Sequence, residues 1–311
     1  MRIAVLGAGS LGSLYAALLS RVDGVELLIH GQGPHGAHMT AHGLQLEGEE
    51  THFVSNSEVF FSLEEVGLPE PSFGTMDFAL LTGKAGQTSS LAQLAHRLLN
   101  ENGMALCLSN GLGHAEQCIE ILGPQRVFAA TSTHGAWRPS AGVVNWAGKG
   151  QTVLGSLPGG PGETEAKPLL DALSSAGLEP VWSSDGFATI WKKVLLNIAI
   201  NPLAALAGVE NGALLEPDLF SSAFSTMLEG AAVARTERVN LPDDAELELL
   251  LRQVLTATAS NICSMLQDIR AGRSTEIAVL NQAITARGER AGIATPLNQM
   301  LTSMIKALHP Q

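Results

Sequence analysis

Along the first half of the chain, apolar positions gather in short runs separated by small or polar residues. "RIAVL" (Arg2 to Leu6) leads into "GAGSLG", then a longer apolar stretch from Leu11 to Arg21, then "VELLIH". A buried run, a tight turn, a helix-length stretch and a second run make one βαβ unit. "MDFALLTG", "GMALCLSNG" and "RVFAATST" repeat the theme, with helical stretches starting near Gln87 and Gly113. Such alternation predicts an α/β fold with a doubly wound, mostly parallel sheet. "GLQLEGEETHFVS" and "GVVNWAGKGQTVLG" alternate around polar turns and are expected to be hairpins.

The texture changes after the loop "GSLPGGPGETEAKP", which leads into a helix from Glu163 to Ala176 and a last strand, "LEPVWS". From about Asp185 the apolar spacing is helical, with stop or cap signals at Pro202, Pro217, "NLPDD", "RAGRST" and "GIATP". The chain is therefore expected to divide near residue 184, into an α/β domain of residues 1–184 and an all-α domain of residues 185–311.

Composition narrows the class. With 311 residues, 45% hydrophobic and 15% charged, the chain can bury one or more substantial cores, and two domains are the expectation. Eighteen basic residues against 30 acidic ones give a net charge of −12, which argues against a broad nucleic-acid footprint but not against a small anion in a local basic pocket. Cys107, Cys118 and Cys263 are scattered and form no CxxC pair, so a reducing compartment and no metal centre are expected. The N-terminal segment lacks the regions of a signal peptide, and the apolar stretch from Val194 to Val209 is broken by Asn197, Asn201 and Pro202, a poor membrane span. A cytoplasmic location follows as the expectation, with no membrane partner.

Gly7, Gly9 and Gly12 form GxGxxG between the first strand and first helix. Gly7 permits the turn, Gly9 lets backbone approach a pyrophosphate, and Gly12 allows close packing, while the helix start at Ser10 and Leu11 faces the anion. An NAD site usually ends its second strand in Asp or Glu, but "VELLIH" ends at His30, with Glu26 several residues too early. His30 and Gln32 could face a 2′-phosphate, and Lys84 in "LLTGKAGQT" could add positive charge, although it reads equally well as a solvated surface lysine. "HGQGPHGAHMTAHG" is expected to be a mobile loop; His38 and His42 lack the neighbouring ligands a metal needs.

In the helical half, "IWKKVLLNIAINPL" carries Lys193, Asn197 and Asn201 at intervals of four residues. At about 100° per residue they form one slowly drifting stripe. A cation and two carboxamides suit a small molecule bearing a carboxylate and a carbonyl. Lys193 could instead snorkel to the surface, and Asn201 could satisfy backbone groups at a Pro202 kink. Further on, Asn261 and Ser264 are expected to be i, i+3 neighbours on a helix. Gly272 should end that helix and Ser274 cap the next, placing Glu276 in a first turn where the helix dipole favours a carboxylate, either as a stabiliser or as a functional group.

"GAGSLG", "GKAGQT", "LSNGLG", "TSTHGA", "WKKVLLNIAINPLAAL", "NGALL", "SMLQDIRAGRSTEI" and "GIATPLN" occur in an order that resembles the ketopantoate reductase family, over almost the whole chain. The resemblance implies an N-terminal Rossmann domain and a helical C-terminal domain, with NADPH and ketopantoate in the cleft between them. It implies Lys193 as the catalytic acid and Glu276 as the group orienting the substrate hydroxyl. Asn197, Asn201, Asn261 and Ser264 fall on substrate-binding positions, Asn110 where cofactor and substrate meet, and Lys84 on a cofactor contact. His30 stands where many members place Arg for the 2′-phosphate. The implied activity is reduction of 2-dehydropantoate to (R)-pantoate, a step toward pantothenate and coenzyme A. Another small 2-oxo or 3-hydroxy acid is the alternative substrate, and a homodimer is left open.

Overall fold

The computed structural model describes residues 1–63, 68 and 72–308. They form two compact units, Met1–Ser109 with His114–Thr189, and Asn110–Gly113 with Ile190–Gln311.

The first unit begins with β1 (Arg2–Leu6), α1 (Ser10–Leu19), β2 (Glu26–Gly31) and α2 (Gly33–His42). β3 (Leu44–Gly48), β4 (His52–Val54), β5 (Phe60–Leu63), β6 (Met76–Leu81), α3 (Thr88–Leu98), β7 (Leu99–Cys107), α4 (His114–Leu122) and β8 (Val127–Ser132) follow. β9 (Gly135–Trp137), β10 (Val143–Gly148), β11 (Thr152–Ser156), α5 (Glu163–Ser175) and β12 (Pro180–Ser183) complete it. The main sheet has the order β12-β11-β8-β7-β6-β1-β2-β5. From β5 to β8 all neighbours are parallel, and β11 runs antiparallel to β8. That is the doubly wound arrangement, in which the strand order reverses beside β1 and ligands gather at the strands' carboxyl ends. Ile3 to Leu6 of β1 are all fully buried, as a central strand covered on both faces must be.

A second sheet, β4-β3-β10-β9, lies against α1, which is buried on nearly every side, as its unbroken apolar sequence requires. "GLQLEGEETHFVS" is the β3–β4 hairpin, as expected. "GVVNWAGKGQTVLG" is not a hairpin: β10 pairs with β3 and β9, whereas β11 joins the main sheet. Alternation marked the strands correctly, with Val144 and Trp146 inward, but alternation does not choose a partner. The connection turns at Gly150, whose backbone passes directly over Thr133 and His134 and whose N–H donates to His134 Nδ1 at 3.0 Å.

The histidine-rich segment is also corrected, because it is the helix α2 rather than a mobile loop. Pro34 preorganises its first turn, and His35 and Met39 are buried. Gly142 N–H donates to His35 Nδ1 at 2.9 Å, so Nε2 carries the ring proton and donates to Ser13 Oγ at 2.9 Å. Burial foremost, then the nearby charge of Arg138, pushes His35 down to about 4, leaving it neutral at pH 7.

The second unit is helical: most of α6 (Gly186–Ala207), then α7 (Pro217–Thr236), α8 (Asp244–Ala257), α9 (Ser264–Arg270), α10 (Asn281–Ala291) and α11 (Pro296–Leu308). Several expected punctuation marks act as such. Pro217 opens α7, and Asp243 and Glu246 cap α8 reciprocally. Gly272 and Gly292, at φ +65° and +70°, follow the ends of α9 and α10. Pro202 does not stop α6, which runs through it to Ala207. α6 is long and apolar enough to cross a membrane, yet 61% of its most apolar window is buried inside the protein. α7 approaches it closely at Gly230, where a Cβ would lie 2.5 Å from Ile198 and 2.8 Å from Leu195.

Candidate active site

In the first unit, the β1 to α1 turn is built around His30. Its carbonyl accepts the N–H groups of Gly7 and Ala8 at 3.1 and 3.0 Å, locking the turn to the end of β2. Gly7 has φ +88°, and a Cβ there would sit 2.7 Å from Gly83 N. A Cβ on Gly12 would press on Gly7 O at 2.7 Å and on the Thr82 hydroxyl. That hydroxyl, which sequence reasoning did not single out, lies 3.1 and 2.9 Å from the carbonyl oxygens of Leu6 and Gly7. At Gly9 the situation is opposite, because a Cβ would meet nothing nearer than Gly7 O at 3.8 Å. The loop is therefore crowded behind and open at Gly9, while Ser10 and Leu11 begin α1 with N–H groups that have no acceptor within the helix. This backbone fits a pyrophosphate, the anion a dinucleotide would bring.

The adenosine end is less simply basic. The His30 imidazole is buried, with Nδ1 2.6 Å from Ser62 Oγ on β5, while Glu26 lies at the far end of β2 beside Arg2. Gln32 is exposed and precedes α2. Lys84 is exposed after β6, its backbone N–H donating to Gln87 Oε1 at 3.2 Å.

In the second unit, α6 holds Lys193, Asn197 and Asn201 on one face. Trp191, Val194, Leu195, Ile198, Ala199 and Ile200 on the same turns are buried, whereas Lys192 is exposed. Lys193 itself is partly buried. Desolvation pushes its amine down to about 8, and the negative charge of Glu276 acts in the opposite direction. Neither the Asn197 nor the Asn201 carboxamide has a hydrogen bond among the described residues. Asn201 therefore does not satisfy the backbone around Pro202; Asn281 does that.

Two local expectations around the remaining residues are corrected. Asn261 and Ser264 do not share a helix: Asn261 precedes α9, Cys263 caps it, and Ser264 is its first residue. The intervening Cys263 packs on α6, its Sγ donating to Asn201 O at 3.5 Å and accepting from Leu266 N at 3.4 Å. Ser274 caps no helix and Glu276 lies in no first turn, because α10 begins only at Asn281. Glu276 is oriented by Asn110 Nδ2, which donates to Oε2 at 3.3 Å, rather than by a helix dipole. Asn110 belongs to the second unit although it follows β7, and the same segment is tied by Leu112 N–H to Val279 O at 2.9 Å. Gly111, at φ +99°, comes so near that a Cβ would lie 2.7 Å from Val279 O.

Asn211, in the "NGALL" segment, carries no individual signal in the sequence. It is buried, its N–H donates to Asn261 O at 2.9 Å, and its Nδ2 donates to Thr258 Oγ1 at 3.0 Å. It thus holds the backbone that presents Asn261. The second unit brings together an amine able to lose its proton near neutrality, a carboxylate beside it, and unpaired carboxamides. Such a set can bind an anion and protonate an oxygen that gains charge.

Two family models match the chain: Ketopantoate reductase PanE/ApbA over residues 3–159, and Ketopantoate reductase PanE/ApbA C terminal over residues 186–309. Among curated relatives, a 2-dehydropantoate 2-reductase from Pyrococcus horikoshii is 33% identical, with 99% of this chain and 97% of that protein covered. One of the same name from Vibrio cholerae is 31% identical, with 99% and 98% covered. The crystal structure of a PanE/ApbA family ketopantoate reductase from Ralstonia eutropha superposes with a TM-score of 0.84, at 29% identity and 99% and 98% coverage. A ternary structure of D-mandelate dehydrogenase with NADH and anilino(oxo)acetate gives 0.88, at 27% identity and the same coverage. The two models account for both halves of the chain, the glycine turn in one and the Lys193 face in the other, and the protein belongs to the ketopantoate reductase family of oxidoreductases.

Proposed function

We propose that this protein reduces 2-dehydropantoate to (R)-pantoate with NADPH, supplying pantothenate and coenzyme A synthesis in the cytoplasm. The observation that carries the reading is the partly buried Lys193 amine, pushed down to about 8 on a helix face that also offers the unpaired carboxamides of Asn197 and Asn201. Gly7, Gly9, Ser10, Leu11 and Gly12 would hold the pyrophosphate, and Lys84 would meet the 2′-phosphate near His30. The bound dinucleotide supplies the hydride that the keto carbon accepts.

Everything else falls to side chains of the chain. Asn197, Asn201, Asn261 and Ser264 donate hydrogen bonds to the substrate carboxylate and fix the direction of the keto group. Lys193, as an ammonium, donates to the keto oxygen, stabilises the charge that grows there, and then yields its proton to form the hydroxyl. Glu276, steadied by Asn110, keeps the amine protonated at neutral pH and accepts a hydrogen bond from a substrate hydroxyl.

A second reading is supported by the D-mandelate dehydrogenase likeness: a paralogue acting on an aryl 2-oxo acid with NADH. Initial rates with NADPH and NADH on ketopantoate, phenylglyoxylate and other 2-oxo acids separate the two. The first reading expects ketopantoate with NADPH to lead by about tenfold or more, the lower end of what a methylene-sized difference in a binding pocket gives. A lead for an aryl substrate or for NADH would replace it with the second.

A further inference from the structure

Pro202 lies inside α6 and lacks the N–H that would donate to the carbonyl of Ile198 one turn earlier. That oxygen receives Asn281 Nδ2 instead, at 3.1 Å. Asn281 opens α10 and is fully buried, and its amide also donates to Asn298 Oδ1 at 3.0 Å. Asn298, equally buried on α11, donates to Thr226 O at 3.1 Å and to Glu229 Oε2 at 2.8 Å. Turning the Asn281 amide over would press its oxygen against two other oxygens, so its orientation is fixed. Asn281 Oδ1 has no hydrogen-bond partner among the described residues, a cost accepted at a buried site where both amide hydrogens are used.

The turn held in this way is interleaved with the polar stripe. Asn197 immediately precedes Ile198, and Asn201 immediately precedes Pro202. An ordinary residue at 202 would close the turn internally. Pro202 instead hands the Ile198 carbonyl to α10, so this turn is pinned to the helix bundle.

We infer that Asn281 is a positioning residue for substrate binding: it supplies from α10 the hydrogen bond that Pro202 removes from α6, fixing Asn197 and Asn201 relative to each other. This rests on the reading that those carboxamides bind a 2-oxo acid.

A double-mutant cycle on the full chain tests it, with Asn281→Ala, Pro202→Ala and the pair. Thermal midpoints are measured without ligand, and KM, kcat and the pH profile are measured on whichever 2-oxo acid the wild type turns over best. Asn281→Ala is expected to raise KM about tenfold without moving the pH profile, since a small misplacement of binding groups costs that much or more. With Pro202→Ala present, the restored N–H should cut the KM penalty to about threefold or less and recover part of the lost thermal midpoint. Equal penalties in both backgrounds, or a lower midpoint with unchanged KM, would overturn the inference. Should Asn281→Ala yield no soluble protein, recovery of the double variant supports it, and failure of the double while Pro202→Ala alone is soluble refutes it. A wild type inert toward every oxo acid fails the functional reading instead, and the thermal cycle still decides whether Asn281 and Pro202 are coupled.

Discussion

Asn110 donates its Nδ2 hydrogen to Glu276 Oε2 across 3.3 Å, joining two residues 166 positions apart in sequence. Glu276 in turn raises the Lys193 amine against a larger effect of burial, and the balance stands at about 8. In the proposed reaction, an amine with such a value would both donate to the forming alkoxide and part with its proton.

The pH dependence follows with a definite sign. An acid that must be protonated loses activity as pH rises through about 8. Glu276→Gln removes the charge that raises the amine, so the alkaline limb of the kcat profile should move to lower pH. An unmoved or upward-shifted limb would show that the two groups are not coupled in turnover.

Stability should move the other way from activity. The folded value of Lys193 lies below the ordinary 10.5, so between about 8 and 10.5 the unfolded chain binds the extra proton and stability rises with pH. Below that window the cost of burying the ammonium is fully present. Lys193→Met should therefore stabilise the protein by about 1–2 kcal/mol at pH 7, discounted for partial exposure and for the Glu276 charge left behind. The advantage should fade as pH approaches 10.5, a trend that denaturant melts at several pH values can follow.

Gly9 and Gly12 should respond differently to the same methyl group. Gly9→Ala meets nothing nearer than 3.8 Å in the protein, so the fold should survive while NADPH binding weakens, read by titrating cofactor fluorescence. Gly12→Ala forces a Cβ to 2.7 Å from Gly7 O, so both the thermal midpoint and cofactor binding should fall.

The legible parts of the sequence were those whose physics is local. The glycine turn, the apolar runs of β1, β2, β6, β7 and β8, and the Lys193 stripe each follow from the spacing of a few neighbouring residues. Elements whose partners lie far away were misread. β10 and β11 look like a hairpin because nothing in their alternation names β3 or β8 as the partner. α2 looks like a loop because its glycines and histidines are poor helix formers, and only the distant Ser13 and Gly142 explain a buried His35. Pro202 looks like a stop because Asn281, which relieves it, is 79 residues further on by their numbering. Glu276 was recognised as a candidate, but its support comes from Asn110, not from the helix start it was expected to occupy.

Cofactor choice is expected to lean on Lys84, since the His30 imidazole is buried against Ser62. Lys84→Ala should raise KM for NADPH by about tenfold and leave NADH nearly unchanged, because only the former carries the extra phosphate. Equal losses for both dinucleotides would move the 2′-phosphate contact elsewhere.

The most direct measurement compares turnover with cofactor affinity in Lys193→Ala. Initial rates on ketopantoate with NADPH should fall by about 100-fold or more, the usual contribution of a positioned proton donor, while NADPH binding stays within about twofold. Turnover close to wild type in that variant would contradict Lys193 as the acid.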